Sequence, residues 1–153
     1  MKKFFIVGLM LVASESSLAA GLINDMQYCQ ALIDFVDNKL DSAPSSYDQD
    51  DVEKARKGLE TYNQYIQREI VSPGLLTFNG GDENKAQQMQ KQVDTYKQTL
   101  VKQFEARYPQ NRLFMDHAIE VNNCAKKSVP SGEELEELKD SLNLMVKLSK
   151  ISG

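Results

Sequence analysis

The chain is expected to fold as an all-α protein, a five-helix bundle with a long hairpin of helices two and three, stapled by one disulfide. Three observations carry that reading. Apolar residues recur at spacings of three and four through most of the chain, without the alternation of a strand. Pro and Gly clusters cut this pattern into five segments. The chain has two cysteines, Cys29 and Cys124, and each falls on the apolar stripe of its segment.

The amino end comes before the first of these segments. Lys2 and Lys3 precede an apolar run from Phe4 to Val12, and small residues follow as Ser16-Ser17-Leu18-Ala19-Ala20. The apolar run is about nine residues long, too short to span a bilayer but suited to a secretory signal peptide. Residues 1–19 are therefore read as a signal peptide, with cleavage after Ala19, and residues 20–153 as a single helical domain. Export to an oxidising compartment, most simply a periplasm, lets two cysteines pair.

Helix one is expected from Leu22 to Leu40, with Leu22, Met26, Cys29, Ile33, Val36 and Leu40 on one face, widened by Leu32 and Phe35. Asp41-Ser42-Ala43-Pro44-Ser45 ends it. Helix two is expected to start at Ser46, with Gln49 completing a capping box, and to bury Val52, Ala55, Leu59, Tyr62, Ile66 and Ile70. Ser72-Pro73-Gly74 should end it, leaving residues 72–81 as a loop.

Asp82 is the expected N-cap of helix three, whose stripe is Ala86, Met89, Val93, Tyr96, Leu100 and Phe104. Pro109 stops it. Helix four is expected from Asn111 to Lys127, with Phe114, Ala118, Val121 and Cys124 inward. Ser131 and Glu134 form the capping-box pattern of helix five, which carries Leu135, Leu138, Leu142, Met145 and Leu148. Helices two and three are long with narrow stripes, about 24 and 27 residues, or roughly 36 and 40 Å. They should form a hairpin that extends from, or folds onto, a core of helices one, four and five. A Cys29–Cys124 bridge closes a loop of about 95 residues, worth roughly 4–5 kcal/mol on a chain-entropy model.

Charge and composition narrow the function. The net formal charge is −4, and loss of Lys2, Lys3 and Glu15 with the leader makes it about −5, a poor match to nucleic acid or anionic lipid. No second apolar run offers a membrane anchor. Zinc needs three or four nitrogen or sulfur ligands, and one histidine beside two bridged cysteines cannot supply them. The carboxylates of Asp48, Asp50 and Asp51 suit a helix amino end and lack the spacing of a calcium loop. There is no Gly-x-Ser-x-Gly motif and no glycine-rich phosphate loop, so no catalytic set, metal site or cofactor is expected and the protein is not read as an enzyme.

His117, the single histidine, could pair with Met26 as a haem ligand. Antiparallel helices bridged at Cys29–Cys124 would hold the two roughly 15 Å apart, and a parallel pair would bring them together.

Two surfaces are candidates for binding a protein partner. One is the apolar group Leu75, Leu76 and Phe78 in the 72–81 loop. The other is the acidic face of helix five, Glu133, Glu136, Glu137 and Asp140. The expected function is that of an exported protein-binding module, in its sharpest form an inhibitor or immunity-type protein that occludes an enzyme. The alternatives are a chaperone-like hairpin that grips non-native clients and, further off, a carrier of haem or another small ligand. A homodimer closing the narrow seams is a further expectation.

Overall fold

A computed structural model describes residues 15–151, with side chains from Ala20 onward. Most of the signal-peptide segment therefore lies outside the described residues. The described residues form five helices: α1 (Glu15–Asp41), α2 (Gln49–Ile66, continued without a break by a π-helical turn, Gln67–Val71, and by Ser72–Phe78), α3 (Glu83–Arg107), α4 (Met115–Lys127) and α5 (Gly132–Ser149). Among the described residues no helix is long and apolar enough to cross a membrane.

Helix α1 is the centre of the molecule. Ile23, Met26, Cys29, Ala31, Leu32, Ile33, Phe35, Val36 and Leu40 are all buried, more than one helical face can hold. The reason is that α1 packs on α2, α3 and α4 at once. Leu22, placed inward by periodicity, is 40% exposed, and its neighbour Ile23 takes the buried position instead. Cys29 and Cys124 are bridged, with Cα atoms 5.7 Å apart, so α1 is tied to α4. Phe35 meets His117 on one side of the bridge and Asp25 meets Lys127 on the other, which makes the two helices antiparallel.

The hairpin folds onto the core and opens as it does so. α3 lies along α1, while α2 packs between α1 and α5; α2 and α3 touch each other where Ser72–Phe78 meets α3. The α2–α5 crossing is close. A Cβ on Gly58 would stand 2.5 Å from the Glu137 carbonyl oxygen, and the Ser141 hydroxyl donates to the Ala55 carbonyl at 2.9 Å.

Ser72-Pro73-Gly74 does not end α2, contrary to the reading of those residues as a break. Proline inside an α-helix lacks an N–H and crowds the carbonyl four residues back. Here a wide turn precedes it: the Ser72 N–H donates to the Gln67 carbonyl, five residues back, so the carbonyls are already re-spaced where the ring arrives. The same turn moves the buried stripe. After Ile66 the next fully buried positions are Val71 and Leu75, and Ile70 is only partly covered. The helix ends at a Schellman turn, with the Gly81 N–H on the Leu76 carbonyl (2.9 Å) and the Gly80 N–H on Thr77 (3.0 Å). Gly80 has φ +63°, which a Cβ would oppose.

Capping follows chemistry that the spacing only partly reveals. Asp82 caps α3 as expected, accepting from the Lys85 N–H at 3.0 Å. For α2 the cap is Asp48, accepting from the Asp51 N–H at 3.0 Å, and not Ser46. Asp is nearer the helix and adds a favourable charge at the dipole's positive end. Ser131 is the N-cap of α5 but makes no side-chain cap bond, and Glu134 reaches Arg68 at 2.9 Å instead. α4 starts at Met115, later than Asn111, because Leu113 is held outside the helix with its N–H on the Tyr47 hydroxyl at 2.9 Å.

Candidate functional site

Where α2 turns into α3, three elements surround an apolar groove of about 590 Å³. The start of α1 supplies Ala20, Ile23, Asn24 and Gln27; the end of α2 supplies Leu75 and Phe78; α3 supplies Met89, Gln92, Val93 and Tyr96. The tip can sit this close to α1 because residue 74 is glycine: a Cβ there would be 2.6 Å from Ile23 Cδ1. Phe78 and Tyr96 remain 59% and 52% exposed. Exposed aromatics over an apolar floor are the composition of a contact site, since each offers large area at small entropic cost.

A polar network fixes the spacing of the three helices beside the wide turn. The Gln30 amide donates to Gln67 Oε1 (3.2 Å), Gln67 donates to Gln90 Oε1 (2.9 Å), and Gln90 donates to Asp94 Oδ1 (2.9 Å). Gln67 also reaches the Ser72 hydroxyl at 2.8 Å. Alongside, the Asn63 amide donates to Asp34 at 2.8 Å. Burial raises the Asp34 pKa, against the opposing pull of Lys97 and Asn63.

The sequence-derived candidates divide on the structure. Leu75 is buried at 4% and belongs to the core and the groove floor, so it is not a free surface residue. Leu76 is 37% exposed and Phe78 is the most exposed of the three. On α5, Glu133 and Asp140 are exposed, Glu136 pairs with Lys139 at 2.7 Å, and Glu137 meets Lys57 at 2.7 Å and Thr61 at 2.8 Å. Those two bonds lower the Glu137 pKa. The acidic face is thus broken by its own partners, and none of its residues lines the tip groove.

The groove's α3 wall was not legible as a site. Tyr96 sits in the apolar stripe and reads as core, yet α3 buries only Val93, Leu100 and Phe104 fully. The usable signal was an aromatic in the middle of a stripe with few partners.

A larger cleft, about 890 Å³, runs between α1 and α2. It is lined largely by charged side chains, of which Arg56 reaches Asp37 at 2.7 Å and, beside the cleft, Asp41 at 2.6 Å. Such exposed pairs read as solvated surface.

His117 and Met26 do not converge. In the antiparallel α1–α4 pair His117 lies beside Phe35, on the opposite side of the bridge from Met26. Phe35, Tyr108 and Phe114 enclose the imidazole with ring centroids 5.2, 4.6 and 5.5 Å away.

No protein-family model, curated protein sequence or solved structure matches this chain.

Proposed function

We propose that this is an exported protein-binding module that takes an apolar side chain of its partner into the tip groove. The observation that carries the reading is the pair Phe78 and Tyr96, half-exposed aromatics on facing elements over an apolar floor. Hot spots of protein interfaces are built from such aromatics around a small desolvated centre. The rigid seat supports it: Gly74 against Ile23 and the Gln30–Gln67–Gln90 chain pre-set the groove, which lowers the ordering cost of binding. The disulfide and the amino-terminal leader pattern support an oxidising compartment such as a periplasm as the place of work. An inhibitor or immunity-type protein that occludes an enzyme is the sharpest form of this function.

The test is a pull-down from periplasmic extract with the oxidised protein beside Phe78→Asp/Tyr96→Ser. These positions are exposed, so the fold should be retained, whereas a charge at buried Leu75 would confound binding with unfolding. One stoichiometric partner captured by wild type and lost in the variant is the expected result. Equal capture by both proteins would end the groove reading.

A further inference from the structure

We propose that His117 is an acid-sensitive latch: its neutral ring holds the carboxyl end of α3 against α1 and α4, and a proton on that ring releases it.

The geometry of the latch is specific. The Phe114 N–H donates to His117 Nδ1 at 3.3 Å, and the His117 N–H returns to the Phe114 carbonyl at 3.0 Å, so the ring caps the first turn of α4. Nδ1 can accept only while it carries no proton, which leaves the hydrogen on Nε2. Nε2 is buried and has no hydrogen-bond partner among the described residues, and the residue is 2% exposed. The ring plane stands nearly perpendicular to Phe35, Tyr108 and Phe114.

These rings are the end-clasp of α3. Tyr108, the residue after the helix, packs on Phe35 and Phe114 as well as His117. Phe104, one turn earlier, packs on Tyr28 and Phe35. Without the clasp, α3 keeps Val93 and Leu100 as its fully buried anchors.

Protonation attacks the clasp twice. It removes the acceptor of the Phe114 N–H, and it puts a cation in a site where no carboxylate of the described residues meets Nε2. The charged groups around the ring are Lys39 from α1, 5.4 Å above the Phe35 ring, Arg112 from the α3–α4 segment, 5.0 Å above Phe114, and Asp116 on α4 itself. Tyr108 packs on the ring, the Tyr47 hydroxyl from the α1–α2 loop accepts from the Leu113 N–H, and α5 contributes the Ser149 carbonyl, which accepts from Arg112. Asp116 favours the charged ring, but burial and then Lys39 oppose it and lower its pKa from 6.5 to about 4. An opened ring regains the ordinary value, so the open form binds the extra proton. The closed form is favoured fully above pH 6.5 and loses on the order of 100-fold of that preference between pH 7 and pH 4.

The test is amide hydrogen exchange on the full oxidised chain between pH 7 and pH 4, corrected for intrinsic rates, beside His117→Gln. Gln can accept from the Phe114 N–H but does not titrate. In wild type, protection over residues 100–118 should fall by on the order of 100-fold while that of Gln49–Ile66 and α5 holds; in the variant it should stay flat. An equal fall in both proteins, no fall in wild type, or a uniform loss across all helices would overturn the latch. Should the variant fail to fold, the single imidazole of wild type decides by NMR. A midpoint near 4, with Phe35 and Tyr108 ring resonances moving together with it, supports the latch; a midpoint near 6.5 with still rings refutes it.

Discussion

The two sides of α1–α2 are packed by different rules. On the α2–α5 side the backbones approach until Gly58 leaves no room for a methyl, and Ala55, Leu59, Leu138, Met145 and Leu148 are buried almost completely. On the α1–α3 side a 25-residue helix rests on Val93, Leu100 and an aromatic clasp that includes Phe104. Interior packing density makes the first side intolerant of added volume. The second gains little burial per residue, so its opening should cost less than global unfolding. One chain thus carries a stiff half and a thinly anchored half. The tip groove sits at the pinned end of the second, where Gly74 meets Ile23 and the glutamine chain joins three helices, and the His117 clasp closes its other end.

The contrast can be broken most strongly at the staple. Cys29→Ser/Cys124→Ser should lose about 4 kcal/mol of stability by denaturant titration, since the bridge closes a 95-residue separation that spans α2 and α3. A loss under 1 kcal/mol would mean that the reduced chain is already constrained. Gly58→Ala should cost about 3 kcal/mol, because its methyl meets backbone at the Glu137 carbonyl and cannot be relieved by a rotamer change. Its effect should appear as faster exchange in both α2 and α5.

Leu100→Ala should cost about 2 kcal/mol, near the low end for such truncations, as Leu100 is 9% exposed and α3 can settle onto α1. The exchange signature should be confined to α3; spread to α5 would show that the two halves are a single cooperative unit. Tyr96→Ser should change stability by less than about 0.5 kcal/mol, checked by thermal melting, which is what a surface reserved for a partner requires.

The stiff half was the more legible. Its stripes, Val52 to Ile66 and Leu138 to Leu148, follow a regular helical period, and the placement of both cysteines on inward faces was enough to pair them. Asp82 was legible as a cap because the Gly80-Gly81 turn isolates it. The tip was misread because Pro73-Gly74 is a strong local stop signal, and the wide turn that neutralises it has no spacing rule of its own. Ser46 and Ser131 matched the capping pattern, but Asp48 was better placed and Glu134 found Arg68. Tyr96 lay in a stripe whose period is right but whose partner surface ends too soon, and one sequence does not reveal where a neighbour stops.

The π-helical turn also has the arithmetic of an insertion. Along a regular helix each residue advances about 100°, so the five residues from Ile66 to Val71 would turn Val71 about 140° away from the side that Ile66 buries, and Leu75 about 180°. The turn absorbs the surplus residue and keeps the tip in phase. Deleting Glu69, with Pro73→Ala to remove the ring from what becomes an ordinary helix, should therefore preserve the order of buried residues while displacing Gln67 from Gln30 and Gln90. In that sense the core counts to a shorter chain, and the extra residue is carried for the sake of the polar junction beneath the groove.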